Sequence, residues 1–182
     1  MTRKKAWPLH DVRHWLEPGP VVLISSRWQG KDNIMTLGWH TILAFSPSLV
    51  ACMISAANTS FSRIRASGEC VINLPEASMA DSVAGIGNCS GERVDKFRHF
   101  ALTAEKSERV AAPSIAECYG HFECRLYDDA MVESYNLFIF EVLAARVNTR
   151  PEWPDTLHYT GGGVFRTDGG LLDRSPLFTK VS

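Results

Sequence analysis

Two short clusters in this chain carry residue types able to grip a polar, phosphorylated ligand. The first is Asn33-Ile34-Met35-Thr36-Leu37-Gly38-Trp39-His40-Thr41, a strand-like stretch interrupted by amide, hydroxyl, glycine and indole groups. The second, Asn58-Thr59-Ser60-Phe61, opens a short helical segment. A helix start offers unpaired backbone N–H groups and a partial positive charge, so it can receive a phosphate. Thr59 and Ser60 add hydroxyl donors, and Arg63 and Arg65 follow within the first turns. Gly38 gives up packing and leaves room for a ligand to approach the backbone. Backbone amides there suit the polar edge of a flat ring lying beside Trp39. The combination suits a flat aromatic cofactor carrying a phosphate, with flavin mononucleotide (FMN) first among them.

Each cluster also has a plainer reading. Ser, Thr and Asn are the default helix caps, and a strand with Gly38 and Trp39 equally describes a barrel corner with an interface tryptophan. A third segment, Ser90-Gly91-Glu92-Arg93-Val94-Asp95-Lys96-Phe97, reads as a solvated helix start, with Asp95 placed where the helix dipole favours it. Functionally, Lys96 would bring a cation to a phosphate or to an anionic ring.

Other chemistries find little support. His121 and Glu123 share a strand face, but no third ligand is evident and no HExxH occurs among the six histidines, so no metal site is expected. The chain lacks a GxSxG elbow, a P-loop and a GxGxxG fingerprint, and Gly161-Gly162-Gly163 reads as a tight turn. Five cysteines, Cys52, Cys70, Cys89, Cys118 and Cys124, are odd in number and widely spaced, with no CxxC. That pattern argues against a disulfide framework and a zinc cluster. Cys52 and Cys70 lie in apolar runs as small core residues. Cys89 is the one expected to be exposed, and an inert thiol is the simpler reading there.

The elements that must position these groups follow from periodicity. Strands are expected over residues 20–27, 36–45, 49–55 and 70–74, with a hairpin turn at Gly30-Lys31-Asp32-Asn33. A short helix over 61–67, capped by Thr59 or Ser60 and ended by Gly68, follows the third strand. Met79, Val83 and Ile86 mark a second helix over 78–86. Residues 116–127 and 137–147 read as two long paired strands. The first places Cys118, Gly120, Phe122, Cys124 and Leu126 on one face, and Tyr119, His121, Glu123, Arg125 and Tyr127 on the other. With no βαβ period, the pattern favours an antiparallel barrel with helices as lids. Residues 1–182 read as a single domain with a sizeable core, 45% of side chains being apolar. The stretch 151–154 is the expected flexible segment.

A net charge of −1 disfavours nucleic acid, and no apolar run is long enough to span a membrane. The basic start Met1-Thr2-Arg3-Lys4-Lys5 has no apolar segment behind it, so it is not a secretory signal, and a cytoplasmic location is expected.

In order and spacing, several stretches together resemble the flavin reductase-like FMN-binding split-barrel family, which includes flavoredoxin and the small reductases of two-component monooxygenases. They are Pro18-Gly19-Pro20-Val21-Val22-Leu23-Ile24, residues 33–39, Phe45-Ser46-Pro47-Ser48-Leu49-Val50, Gly68-Glu69-Cys70-Val71-Ile72-Asn73-Leu74-Pro75, residues 90–97, Ala116-Glu117-Cys118 and Leu137-Phe138-Ile139-Phe140-Glu141-Val142. The likeness covers roughly residues 15–166. It implies a mainly β fold, a six-stranded antiparallel Greek-key split barrel with a few flanking helices, forming a homodimer with FMN near the interface. By position, Asn33, Thr36 and Trp39 would contact the flavin, with His40 and Thr41 beside it. Thr59 and Ser60 would meet the phosphate side, Lys96 would approach the cofactor, and Phe165 would close the site.

One departure bears on activity. Where reductases of the family often carry Gly-Asp-His before the Leu-Phe-Ile strand, this chain has Glu133-Ser134-Tyr135. Tyr135 can stack or donate a hydrogen bond, but it supplies no cation near neutral pH. The resemblance implies an oxidoreductase that passes electrons from NAD(P)H through bound flavin to an acceptor. The alternative is a non-enzymatic flavoredoxin-type carrier reduced by another protein, a redox partner; a flavin-binding module without turnover is a third class. No residue is assigned as catalytic.

Overall fold

The computed structural model describes Pro8, residues 19–148 and residues 153–171. The basic N-terminal start and residues 151 and 152 of the expected flexible stretch lie outside the described residues. A seven-stranded antiparallel sheet forms the body: β1 (Val22–Trp28), β2 (Lys31–Leu37), β3 (His40–Phe45), β4 (Ser48–Met53), β5 (Glu69–Leu74), β8 (Gly120–Asp128) and β9 (Leu137–Val147). Two short pairs stand apart, β6 (Ala104–Glu105) with β7 (Ser114–Ile115), and β10 (His158–Gly161) with β11 (Val164–Arg166). Four helices complete the described chain: α1 (Thr59–Ser67), α2 (Ala80–Gly87), α3 (Lys96–His99) and α4 (Val132–Tyr135), with a 3-10 turn at Ala77–Met79 before α2.

The strand order is β2-β1-β5-β8-β9-β4-β3, so consecutive strands β2 and β3 lie at opposite edges. Only Gly38 and Trp39 separate them. In a flat sheet those edges would stand about 29 Å apart, six spacings of about 4.8 Å. Three Cα steps reach about 11 Å at most. The sheet must therefore curl until its edges approach, and it does: Met35 and Leu37 of β2 share one core with Val50 and Cys52 of β4, and the His40 ring at the start of β3 meets the Pro20 carbonyl, just before β1, at 2.8 Å. The expected continuous strand over 36–45 is thus two strands broken at Gly38, and the barrel has seven strands rather than six.

Closure makes two cores. Inside the barrel, Ile24, Cys52, Ile54, Ile64, Cys70, Phe138 and Phe140 are fully buried, with Phe138 and Phe140 stacked at 5.9 Å. Outside it, Val21, Leu23 and Ile34 pack against Val83 and Ile86 of α2 and Phe97 of α3. Both faces of β1 are covered, which is why Val21-Val22-Leu23-Ile24 is apolar without alternation.

Three local expectations are corrected. The first helix begins at Thr59, and Asn58 rather than Thr59 or Ser60 holds the N-cap position. Gly68 ends that helix in the left-handed region, φ 71, as expected. The strand expected from residue 116 begins at Gly120, because the Cys118 amide closes a turn onto the Ile115 carbonyl. The face carrying Glu123 is not solvated. Residues 107–112 fold across it, and the Glu123 carboxylate, 1% exposed, accepts from the Glu108 and Arg109 amides at 2.6–3.1 Å.

Glu123→Gln sets an amide donor against those backbone donors. A loss of about 1–3 kcal/mol is expected in urea denaturation, the cost of unsatisfied buried polar groups.

Candidate functional site

Two cavities open side by side along edge strand β2, where α2 ends. The larger, about 480 Å³, lies between Thr36, Gly38 and Trp39 on one side and Val83 and Ala84 of α2 on the other, with Tyr159 and Phe165 closing it. The smaller, about 340 Å³, runs from Asn33 past the start of α1 to Ser90, Gly91 and Lys96. Gly87 and Asn88 border both, so they are two halves of one groove.

The first half is a slot with apolar walls. Gly38 leaves it open: a Cβ added there would meet nothing within 4 Å. Trp39 is 43% exposed at the mouth. The Thr36 hydroxyl donates to the Val83 carbonyl at 2.7 Å and so ties β2 to α2 across the slot floor. The β10–β11 hairpin forms the far wall, with the Tyr159 and Phe165 rings 5.3 Å apart. Its turn is the triple glycine, with positive φ at all three positions, which glycine adopts without a Cβ clash.

The second half is polar. Asn58 at the cap of α1 makes no side-chain capping bond. The Ser60 hydroxyl accepts from the Asn33 amide at 2.8 Å, and the Thr59 and Ser90 hydroxyls meet at 3.3 Å. The first N–H groups of α1 have no intrahelical acceptor and face this space with the helix's positive end. The Asn33 carbonyl oxygen is buried without a donor. Gly91 is required beside it, since a Cβ there would stand 1.9 Å from that oxygen.

Lys96 is the charged element. Asp95 caps α3 through the Arg98 amide, as the dipole argument expects, but the residue after it is not solvated. Lys96 is 5% exposed and donates to the Ile86 carbonyl at 2.8 Å. No carboxylate among the described residues pairs with it. Burial pulls its pKa below the ordinary 10.5; Cys89 nearby opposes that shift and the Arg63 guanidinium adds to it. A buried ammonium with one neutral partner is costly, and an anion in the cavity would offset that cost.

The groove thus gathers Asn33, Thr36, Trp39, Thr59, Ser60, Lys96 and Phe165. It does not gather three others. His40 turns away to the Pro20 carbonyl at 2.8 Å, the Thr41 hydroxyl reaches only the Ile42 carbonyl, and Tyr135 is 66% exposed on α4, so none lines either cavity. Sequence reasoning missed Asn88 and Tyr159. The aromatics flanking the triple glycine were a usable signal for Tyr159; nothing local marks Asn88.

The chain has relatives in sequence and in fold. The chain is 34% identical over 133 residues to an uncharacterized protein of Archaeoglobus fulgidus, covering 73% of this chain and 75% of that one. Its fold superposes on an FMN-binding domain of a flavin reductase-like enzyme from Shewanella baltica with TM-score 0.79 at 26% identity, covering 93% of this chain and 96% of that one. It superposes on flavoredoxin from Methanosarcina acetivorans with TM-score 0.83 at 24% identity, covering 98% of both chains. The flavin reductase-like domain model matches residues 14–168, and the chain belongs to that family.

Proposed function

We propose that this protein binds FMN in the groove and acts as a flavin-dependent oxidoreductase, passing electrons from NAD(P)H to an acceptor. The observation that carries the reading is the pairing of a slot with apolar walls with a polar end holding a buried ammonium that no carboxylate among the described residues pairs with. Flavin bound there supplies the redox chemistry, accepting hydride or single electrons.

The chain's own residues bind and orient. Lys96, the start of α1 and the Thr59 and Ser60 hydroxyls hold the phosphate. The Asn33 amide steadies the Ser60 hydroxyl beside the phosphate end by donating to it. Trp39 and Phe165, which line the slot, would hold the ring, and the backbone at Gly38 would offer it polar groups. Thr36 acts as a positioning residue through its bond to Val83. His40 and Thr41 stand at the edge of the site.

A homodimer fits the same reading. Edge strand β3 exposes Ile42 at 63%, Leu43 at 48% and Phe45 at 95%, on a strand that begins one residue after Trp39. Such an edge is a template for pairing. A second copy seated there would cover it and approach the slot mouth. Tyr135 in place of histidine favours one alternative, a carrier reduced by a partner protein.

Anaerobic NADH or NADPH should bleach the bound flavin's visible bands within seconds. Bands that persist with nicotinamide but bleach with dithionite would favour the carrier. Absence of FMN binding would overturn both readings.

Lys96→Met should weaken FMN binding at least about tenfold, or 1.4 kcal/mol, in fluorescence titration. It should leave the ligand-free protein as stable as wild type or more so, because it removes an uncompensated buried charge.

The pH dependence has a definite sign. Bound phosphate raises the Lys96 pKa, so FMN affinity is full below the ligand-free value and declines as pH climbs through it, starting below 10.5. Over the same range the ligand-free fold gains stability, since the unfolded chain keeps the proton to higher pH. Lys96→Met should abolish both trends.

Phe45→Lys should shift the protein to monomer in sedimentation velocity.

A further inference from the structure

A ligand that fills both halves of the groove must pass Gly87 and Asn88, the residues common to both cavities, and of the two only Asn88 has a polar side chain. It stands just past the end of α2, where the last carbonyls of a helix lack intrahelical donors. Three of those carbonyls are already taken. The Ala84 oxygen accepts from Asn88 Nδ2 at 2.7 Å, the Gly85 oxygen from the Asn88 backbone amide at 3.1 Å, and the Ile86 oxygen from Lys96 at 2.8 Å. A carbonyl only accepts, so the first bond assigns the nitrogen end of the Asn88 amide. Its Oδ1 points away from the Ala84 carbonyl, and no donor among the described residues reaches it. The polarity of the groove runs the same way. Lys96 and the start of α1 make the far end positive, whereas the negative end of α2, at the junction, favours a ligand's hydrogen-bond donor.

We propose that Asn88 is a specificity-determining residue whose Oδ1 accepts from a hydroxyl on the chain joining ring to phosphate. The groove then selects a flat ring on a polyhydroxylated, phosphorylated chain over the same ring on a chain without hydroxyls. The proposal rests on the FMN reading. It assigns the stretch of cofactor between the slot, which takes the ring, and Lys96, which takes the phosphate. Asn88 suits that place because its amide is already anchored on Ala84, so little side-chain freedom is lost when the hydroxyl arrives.

The test compares wild type with Asn88→Ala in fluorescence titrations of the full chain. The ligands are FMN, lumiflavin (the ring with no linking chain), and an analogue whose ring and phosphate are joined by an unhydroxylated alkyl chain of equal length. Asn88→Ala should lose about fivefold in FMN affinity, the usual net worth of one neutral hydrogen bond. Its affinity for the alkyl analogue and for lumiflavin should stay within about twofold of wild type, because neither offers the hydroxyl that Asn88 receives. Equal weakening of FMN and the alkyl analogue would overturn the proposal, since Asn88 would then only shape the end of α2. Unchanged FMN affinity in Asn88→Ala would overturn it too, with the flavin reading left standing. Wild-type protein that binds none of these flavins would sink both.

Discussion

Gly38 and Trp39 tie together the two edges of a seven-stranded sheet, and most of the architecture follows from that short tether. A connection of two residues cannot bridge an open sheet, so the sheet curls into a barrel. Curling buries Phe138 and Phe140 inside and leaves β1 and β2 with an outer face that needs cover. Helices α2 and α3 supply it through Val83, Ile86 and Phe97. The groove lies where that cover ends, at Gly87 and Asn88, directly against the tether's own Gly38 and Trp39. The residues that close the barrel are therefore residues of the candidate site.

The groove's two halves are held by different forces. The apolar half rests on packing: the β10–β11 hairpin folds back so that Tyr159 and Phe165 face α2, with the Thr36 hydroxyl locking β2 to the same helix. The polar half rests on unmet electrostatic demand. Among the described residues Lys96 is buried with one carbonyl partner, and the start of α1 has no side-chain cap. Both are unfavourable in a sealed protein, and the cavity they line suits an anion.

Farther round the barrel, over β5 and β8, buried polar groups are paired. Glu123 accepts from two loop amides, Asn73 takes the Ile115 amide, and the Ser25 hydroxyl donates to the Pro113 carbonyl at 2.5 Å. These bonds pin residues 107–115 over β5 and β8. By contrast, Lys96 lines the groove with no carboxylate partner among the described residues, and a ligand there can supply the missing charge.

Much of this was legible in the sequence because it is local. Gly68 ends a helix, the triple glycine turns a hairpin, the unalternating run at Val21–Ile24 is a strand covered on both faces, and residues 137–147 form one strand. The clustering of Asn33, Trp39, Thr59 and Ser60 also named most of the groove. Where the residues pointed two ways, tertiary contacts chose. A capping role for Thr59 and Ser60 is locally plausible, but Asn33 and Ser90 reach their hydroxyls from elements some thirty positions away in either direction. Lys96 reads as solvated beside Asp95, and becomes buried only because α3 packs on β2. Glu123 alternates as an outward residue until a distant loop covers it. His40, Thr41 and Tyr135 share the sequence neighbourhood of the site but turn elsewhere once the barrel closes. The sequence by itself determined the strands, the turns and the chemical inventory, since these follow from backbone preference and short-range periodicity. Only the tertiary structure decided which of those groups are buried and left unpaired, because burial and pairing depend on partners that closure brings from far along the chain.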